Sequence, residues 1–283
     1  MTSESQIDRE YSFSQADFER VRKLIYGRAG ISLNTTKQNM VYSRLSRRLR
    51  ALNLDGFVEY LDSLEAGESA EWQEFINALT TNLTSFFREA HHFPVLQERV
   101  ASLERGPLRI WCAAASTGEE PYSIAMTAVD VRPVGAPRVQ ILATDIDTSV
   151  LVTARRGVYL DDALKNVTPE QRRRHFLKGR DSNAGMVRVR PELSALIDFK
   201  PLNLLSPAWP MKELFDIIFC RNVMIYFDKP TQRQVLARLA DNLKPGGLLF
   251  AGHSENFTDC REQFELRGKT VYQRLQAPLR RAA

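Results

Sequence analysis

The chain has 283 residues, enough for one large domain or two small ones, and its hydrophobic content of 43% is ordinary for a globular protein. No stretch approaches the ~18 apolar residues of a membrane span, and the opening segment lacks the basic-then-apolar pattern of an export signal, so neither membrane insertion nor secretion is expected. The formal net charge of +5 favours an acidic partner; Cys112, Cys220 and Cys260 form no C-x-x-C pair or disulfide framework, which points to reduced thiols in a cytoplasmic protein.

Residues 14–29 place Phe18, Val21, Leu24 and Ile25 on one helical face, and Gly30 ends the run. A second helix fits 37–52, with Val41, Leu45, Leu49 and Leu52 on its apolar side. Shorter helices fit 56–64 and 70–79, and no strand pattern precedes residue 108, so 1–80 is predicted to be a small all-α domain. Between Arg20 and Arg50 the chain carries nine basic residues and no acidic one. A solvated helix face would account for this, but the total absence of acids favours a docking surface. Arg44, Arg47 and Arg48 share one face by their spacing, and with Arg50 they are the docking candidates.

Residues 81–92 read as a linker in which polar groups stand beside Phe86, Phe87 and Arg88, a setting that suits a ligand pocket as well as it suits an N-cap with a buried aromatic pair. His91 and His92 are read as packing or surface residues and no metal site is expected, since neighbouring histidines cannot easily share one ion. From residue 108, strands at 108–112, 139–144, 195–200, 214–220 and 246–252 alternate with helices at 121–130, 147–155 and 230–243. Such alternation predicts a parallel sheet covered on both faces, with a last strand near 269–274 antiparallel at its edge. The turn formers of 178–185 lie between Phe176-Leu177 and the alternating segment 186–190. They predict a small inserted β-subdomain at about 176–200, either a surface hairpin or an open edge for an extended peptide. Trp72, Trp111 and Trp209 are expected in the core, and 276–283 reads as a disordered tail.

The chemistry concentrates at strand ends. The first strand runs into Ala113-Ala114-Ala115-Ser116-Thr117-Gly118, and Thr117 and Glu120 stand at capping-box spacing before Pro121. This predicts strand, tight turn and helix start. The second strand ends in Asp145, where a carboxylate suits a ribose hydroxyl pair. The turn is not G-x-G-x-x-G, so no pyrophosphate need be cradled and a nicotinamide dehydrogenase is disfavoured. Arg221, Asn222 and Tyr226 follow the apolar strand ending at Cys220, on the edge where open α/β sheets bind ligands. An Asn-Pro-Pro-Tyr or similar base-handling motif is absent, which disfavours a nucleic acid methyltransferase.

Four blocks together are specific: Asn82-Leu83-Thr84-Ser85-Phe86-Phe87-Arg88-Glu89, Ala114-Ala115-Ser116-Thr117-Gly118-Glu119-Glu120-Pro121-Tyr122-Ser123, Ala143-Thr144-Asp145-Ile146-Asp147 and Cys220-Arg221-Asn222-Val223-Met224-Ile225-Tyr226-Phe227. In this order they closely resemble the CheR family of chemotaxis receptor methyltransferases, and the likeness extends to Gly252-His253-Ser254-Glu255. The resemblance implies a Rossmann-like S-adenosylmethionine methyltransferase domain over 93–283, carrying the inserted β-subdomain and preceded by the all-α domain, with the 81–92 linker contributing to the cofactor site. It implies methyl transfer to glutamate side chains on chemoreceptor cytoplasmic helices, leaving S-adenosylhomocysteine. The implied cofactor positions are Asn82, Thr84, Arg88, Ala113, Glu119, Asp145, Asn203, Leu204, Arg221, Asn222 and Tyr226. Arg88 is expected to orient the substrate carboxylate, and Tyr226 to fix the sulfonium end or the incoming oxygen. The family likeness has the basic helix dock on the acidic receptor coiled coil, while Gly179, Gly185 and Arg188 approximate the pattern of a subdomain that grips a receptor C-terminal peptide. The protein is expected to be a monomer that binds no nucleic acid. The reading held against the enzyme is a non-catalytic receptor-docking or cofactor-sensing adaptor.

Overall fold

The computed structural model describes residues 9–67, 70–103, 106–132, 138–257 and 260–276, and most of the expected tail lies outside that set. The chain divides into two compact units, Met1–Thr81 and Asn82–Ala283.

The first unit is helical. Helix α1 (Gln15–Ala29) opens on a capping box between Ser14 and Asp17, and ends where Gly30 takes the left-handed conformation at φ 67°. Helix α2 (Gln38–Leu52) ends at Asn53, also left-handed at φ 54°. Helices α3 (Phe57–Glu65) and α4 (Glu71–Leu79) complete the unit. Its core draws on Phe18, Val21 and Ile25, on Val41, Leu45 and Leu49, and on Tyr60, Leu64, Phe75 and Leu79. Leu52, expected on the apolar side, is 41% exposed. Trp72, expected in the core, is half-buried: it donates to the Gly67 carbonyl and lies under the Arg28 guanidinium.

The acid-free stretch is not electrostatically bare in three dimensions. Arg20 pairs with Asp62 and Glu65, and Arg22 with Glu19. Arg48 forms a fork on Glu71 at 2.8 and 2.6 Å, and Arg50 meets Glu10 at 3.3 Å. Arg44 donates to the carbonyls of Ala78, Leu79 and Thr80 and to the Thr81 hydroxyl, so it caps the carbonyl end of α4. Arg44 and Arg48, expected among the docking residues, are half-buried, and both guanidinium groups hold the helical unit together. Arg47 and Arg50 project from exposed positions.

The second unit is built on a seven-stranded sheet. Its elements in order are α5 (His92–Ser102), β1 (Leu108–Cys112), α6 (Glu119–Val131), β2 (Val139–Asp145), α7 (Thr148–Arg156), β3 (Val158–Leu160), α8 (Pro169–His175), β4 (Phe176–Lys178), β5 (Met186–Val189), α9 (Pro191–Ser194), β6 (Ile197–Pro201), β7 (Phe215–Cys220), α10 (Lys229–Asn242), β8 (Leu243–Ala251), β9 (Phe264–Gly268) and β10 (Val271–Arg274). The main sheet has the order β6-β2-β1-β7-β8-β10-β9. Strands β6, β2, β1, β7 and β8 are parallel, while β10 runs antiparallel to β8 and to β9. Alternate residues of β1, β7 and β8 feed two cores, one per face. Ile110, Cys112, Ile217, Phe219 and Phe250 pack with α5 and α6; Trp111, Ile218, Cys220 and Leu249 pack with α10. The chain leaves β1 towards β6, then returns to β7 on the other side, which opens a crevice at the carboxyl ends of β1 and its neighbours.

The inserted subdomain differs from its expected span. It is a three-stranded antiparallel sheet in the order β3-β5-β4, so it begins at Val158, and residues 197–201 belong to the main sheet instead. Strand β8 begins at Leu243, directly after α10, so Lys244 to Gly247 already lie inside it and the strand starts earlier than the expected 246.

Candidate functional site

The turn after β1 is pinned from both sides: Ala113 N donates to Phe219 O and Ala115 N to Thr144 O. Ser116 then takes a left-handed φ of 48° and Gly118 a φ of 102°. A Cβ at Gly118 would stand 2.7 Å from the Tyr159 hydroxyl and 2.9 Å from the Ala154 methyl, so only glycine fits. Helix α6 starts directly on this turn. The expected Thr117–Glu120 capping box is not formed: Gly118 is the N-cap, Thr117 donates its hydroxyl to Glu119 at 2.6 Å, and Glu120 turns inward. Burial pushes the half-buried Glu119 carboxyl above its usual range.

Asp145, at the end of β2, accepts from Ser116 N at 2.8 Å and from Asp147 N at 2.9 Å. It is 8% exposed, and burial lifts its pKa to about 6 although the two backbone donors oppose the rise. Asp147 caps α7 and accepts from the Asn82 amide at 2.7 Å, while the Asn82 carbonyl accepts from the Ser116 hydroxyl at 3.2 Å. These bonds bring the 82–89 segment onto the ends of β1 and β2. Leu202 N donates to Asp145 O, which places Asn203 and Leu204 beside them. Asn203 closes an Asx turn on Leu205 N, and Leu204 is buried against Ala113 and Trp111. Thr84 is half-buried on the same segment, and Arg88 donates to the Leu83 carbonyl at 2.7 Å.

After β7, Arg221 is the hub. Its side chain is 1% exposed and donates to Glu120 at 2.6 Å and to the Arg88 carbonyl at 2.7 Å, with Glu89 at 3.2 Å. This guanidinium joins α6 to the 82–89 segment through its two terminal nitrogens, while its Nε is buried with no hydrogen-bond partner among the described residues; these bonds give Arg221 a positioning role. Burial raises the Glu89 carboxyl, but Arg221 and His253 outweigh it and hold the pKa at about 2. Asn222 is left-handed at φ 57° and donates its amide to Glu89 at 3.3 Å. Its backbone N–H goes to Glu255, a buried carboxylate that also accepts from Met224 N and Gly252 N. Gly252 has no room for a side chain, since a Cβ would lie 2.4 Å from the Asn222 amide nitrogen. Tyr226 follows half-buried on a short 3-10 turn, Met224–Tyr226. Phe87, Glu89, Ser116 and Asn222 thus bring four left-handed non-glycine residues to one crevice, a concentration of strain that marks functional sites.

Glu89, Glu120, Asp147 and Glu255 escaped the sequence reading. Glu89 stood inside a recognised block, yet nothing local says that its carboxylate serves Arg221 and Asn222. Glu89, His91 and His92 also bring ligand-type atoms within 4.8 Å of one another. The Arg221 guanidinium beside Glu89 already supplies the counter-charge a cation would bring, and His92 packs with its Nε2 on Lys269 O and Thr270 Oγ1. Burial, with Arg221 adding to it, lowers the His92 pKa to about 4.

Gly179, Gly185 and Arg188 do not join the crevice. A Cβ at Gly179 would lie 2.0 Å from Asn183 O, and Gly185 has φ 82°, so both glycines are demanded by the hairpin itself. Arg188 projects from β5 between its register partners Val158 and Leu177, all three exposed.

Chemically, the crevice presents acceptors. Glu119 and Asp145 are carboxylates, Ala113 and Leu204 are buried members of one apolar cluster, and among the described residues no glycine-rich cradle for phosphate follows β1. That set fits a nucleoside with hydroxyls and a cationic amino-acid end, as in S-adenosylmethionine. The comparisons agree. Residues 82–273 match the model of the CheR methyltransferase SAM-binding domain and residues 16–80 that of the CheR all-alpha domain. A chemotaxis protein methyltransferase of Escherichia coli is 54% identical over 268 residues, covering 94% of this chain and 93% of that protein. One from Salmonella typhimurium is 55% identical with the same coverage, and chemotaxis protein methyltransferase 2 of Pseudomonas aeruginosa is 51% identical over 94% of this chain and 95% of its own. With both domains matched and relatives more than half identical over nearly the whole chain, the chain belongs to the CheR family of S-adenosylmethionine-dependent methyltransferases of chemotaxis.

Proposed function

We propose that the chain methylates glutamate side chains on the cytoplasmic helices of chemoreceptors, forming glutamyl methyl esters. One observation carries the reading: acceptor groups for a cationic nucleoside and one arginine, Arg88, meet at the same sheet edge. S-adenosylmethionine, when bound, supplies a sulfonium-activated methyl, and a glutamate ionised at neutral pH receives it without any proton being moved. The chain's task is then alignment and exclusion of water. In this reading Asp145 accepts from the ribose hydroxyls and Glu119 from the ammonium group. Asn82, Thr84, Asn203, Leu204 and Asn222 line the nucleoside, Arg88 orients the incoming carboxylate by a forked contact, and the Tyr226 phenol fixes the sulfonium end or the attacking oxygen.

The partner is an acidic receptor surface in the cytoplasm. Arg47 and Arg50 are the basic groups of α2 that remain exposed to meet it. A receptor C-terminal peptide is placed at an edge of the inserted sheet, whose exposed face carries Val158 and Leu160 of β3 and Leu177 of β4 on either side of Arg188.

The test is transfer of labelled methyl from S-adenosylmethionine to a receptor cytoplasmic fragment, with mild base releasing the label as methanol. The wild-type chain is expected to label the fragment, and Arg88→Ala to lose at least about tenfold in rate, the scale of one charge-assisted contact. A chain that binds receptor and nucleoside but transfers nothing would be an adaptor. An Arg88→Ala protein working at the normal rate would remove the role given to that side chain.

A further inference from the structure

The inserted sheet is tied to the cofactor turn by one hydroxyl. Tyr159, the central residue of β3, is 6% exposed, and its hydroxyl donates to the Thr117 carbonyl at 2.8 Å. The next residue is Gly118, where a Cβ would collide with that same phenol, so turn and phenol are shaped to each other. Thr117 then passes its own hydroxyl to Glu119. The connection is continuous from β3 through Thr117 to the carboxylate that faces the ligand.

A second tie reaches the 82–89 segment. Phe86 is fully buried and packs edge-on against Tyr159, ring centres 5.0 Å apart, and against Phe176 of β4 at 5.6 Å. Asn166, between β3 and α8, donates its amide to the Phe86 carbonyl at 3.2 Å. Phe86 stands two residues before Arg88. Two of the segments that carry proposed ligand contacts therefore rest on the inserted sheet.

We propose that Tyr159 is a positioning residue of the methyl-transfer site: it fixes the Thr117–Glu119 turn and, together with Phe176, the Phe86–Arg88 segment, so the inserted sheet is part of the frame of the cofactor site. The proposal rests on the reading that Glu119 and the 82–89 segment contact the nucleoside. Removing the phenol leaves the Thr117 carbonyl without its donor and opens space above Gly118, so the turn gains conformers that do not present Glu119. The ligand then binds only the fraction that remains competent, and its apparent affinity falls by that fraction.

Tyr159→Phe keeps the ring and removes only the hydroxyl. Tyr122→Phe is its matched control: Tyr122 is also buried in this core, and its hydroxyl donates to Ala154 O at the same 2.8 Å, on α7 rather than on the turn. Binding of S-adenosylhomocysteine is measured by calorimetry, and KM for S-adenosylmethionine and kcat by methyl transfer. Tyr159→Phe is expected to weaken product binding by about fivefold, the worth of one hydrogen bond, and to raise KM in step with little change in kcat. Tyr122→Phe is expected to lower Tm while leaving binding within about twofold. The proposal is overturned if Tyr159→Phe binds like wild type, or if both variants weaken binding alike. Should Tyr159→Phe fail to fold, Phe176→Leu replaces it: weakened binding supports the proposal and unchanged binding overturns it. A wild-type chain that binds the product yet methylates no receptor would strike the glutamate reading and leave this one standing.

Discussion

Asp145 is one of the buried carboxylates of the crevice, and burial works against its charge. Its carboxylate is buried, two backbone N–H groups already point at it, and its pKa still sits at about 6. Only the ionised form has its full set of acceptor lone pairs, so the direction is fixed: affinity for the nucleoside is present above pH 6 and declines as the pH falls through that value. Calorimetric titration of S-adenosylhomocysteine across mildly acid to neutral pH is expected to show this fall, and Asp145→Asn is expected to bind weakly with a flatter profile. A wild-type affinity that does not change with pH would contradict the role given to Asp145. The position of this carboxylate was legible because an apolar strand ends on it. Glu120 was not legible in the same way. It looked like a capping residue beside Pro121, and nothing near it in the chain announces Arg221, 101 residues later, as its partner. Short-range signals report caps and turns, whereas a buried ion pair is decided by which strand ends the sheet brings together.

The same division appears among the elements. Strands β1, β2 and β7 were readable as compact apolar runs, and β7 is buried at every position. Strands β3 and β4 have three residues each, too few for alternation to show, so the inserted sheet was placed too late in the chain. Helix α2 gave a different lesson. Its acid-free sequence suggested a free basic face, but Glu71 and Glu74 of α4 come to Arg48, and the end of α4 comes to Arg44. Two substitutions on this helix should therefore separate. Arg44→Ala strips the last carbonyls of α4 of their charged donor and is expected to cost the helical unit about 2 kcal/mol, read as a lower thermal transition. Arg47→Glu touches an exposed side chain and is expected to change stability by no more than about 0.5 kcal/mol. It is expected to raise KM for the receptor fragment while leaving product binding alone. If Arg47→Glu methylates receptor normally at low ionic strength, where charge attraction is strongest, α2 is not the docking surface.

At the scale of the whole molecule, the two units bury separate apolar sets. The helical unit has its own core around Phe18, Leu45 and Phe75, and both cores of the main sheet are made from residues after Asn82. Every residue assigned to the nucleoside, from Asn82 to Tyr226, falls in the second unit, and so do Arg221, Glu89 and Tyr159, which position them. The exposed arginines proposed to meet the receptor, Arg47 and Arg50, fall in the first. A unit with its own core and every group proposed for the ligand is expected to bind that ligand without help. Residues 82–283 expressed alone are therefore expected to fold and to bind S-adenosylhomocysteine within about threefold of the full chain, a change smaller than one hydrogen bond is worth. Methyl transfer to a receptor fragment is expected to drop much further, through KM and not through nucleoside affinity. Circular dichroism checks folding, calorimetry checks binding, and labelled transfer checks the substrate. If the fragment folds but loses the nucleoside, the first unit supplies part of that site. If it methylates receptor as well as the full chain does, recognition belongs to the second unit, and the exposed arginines of α2 have no part in it.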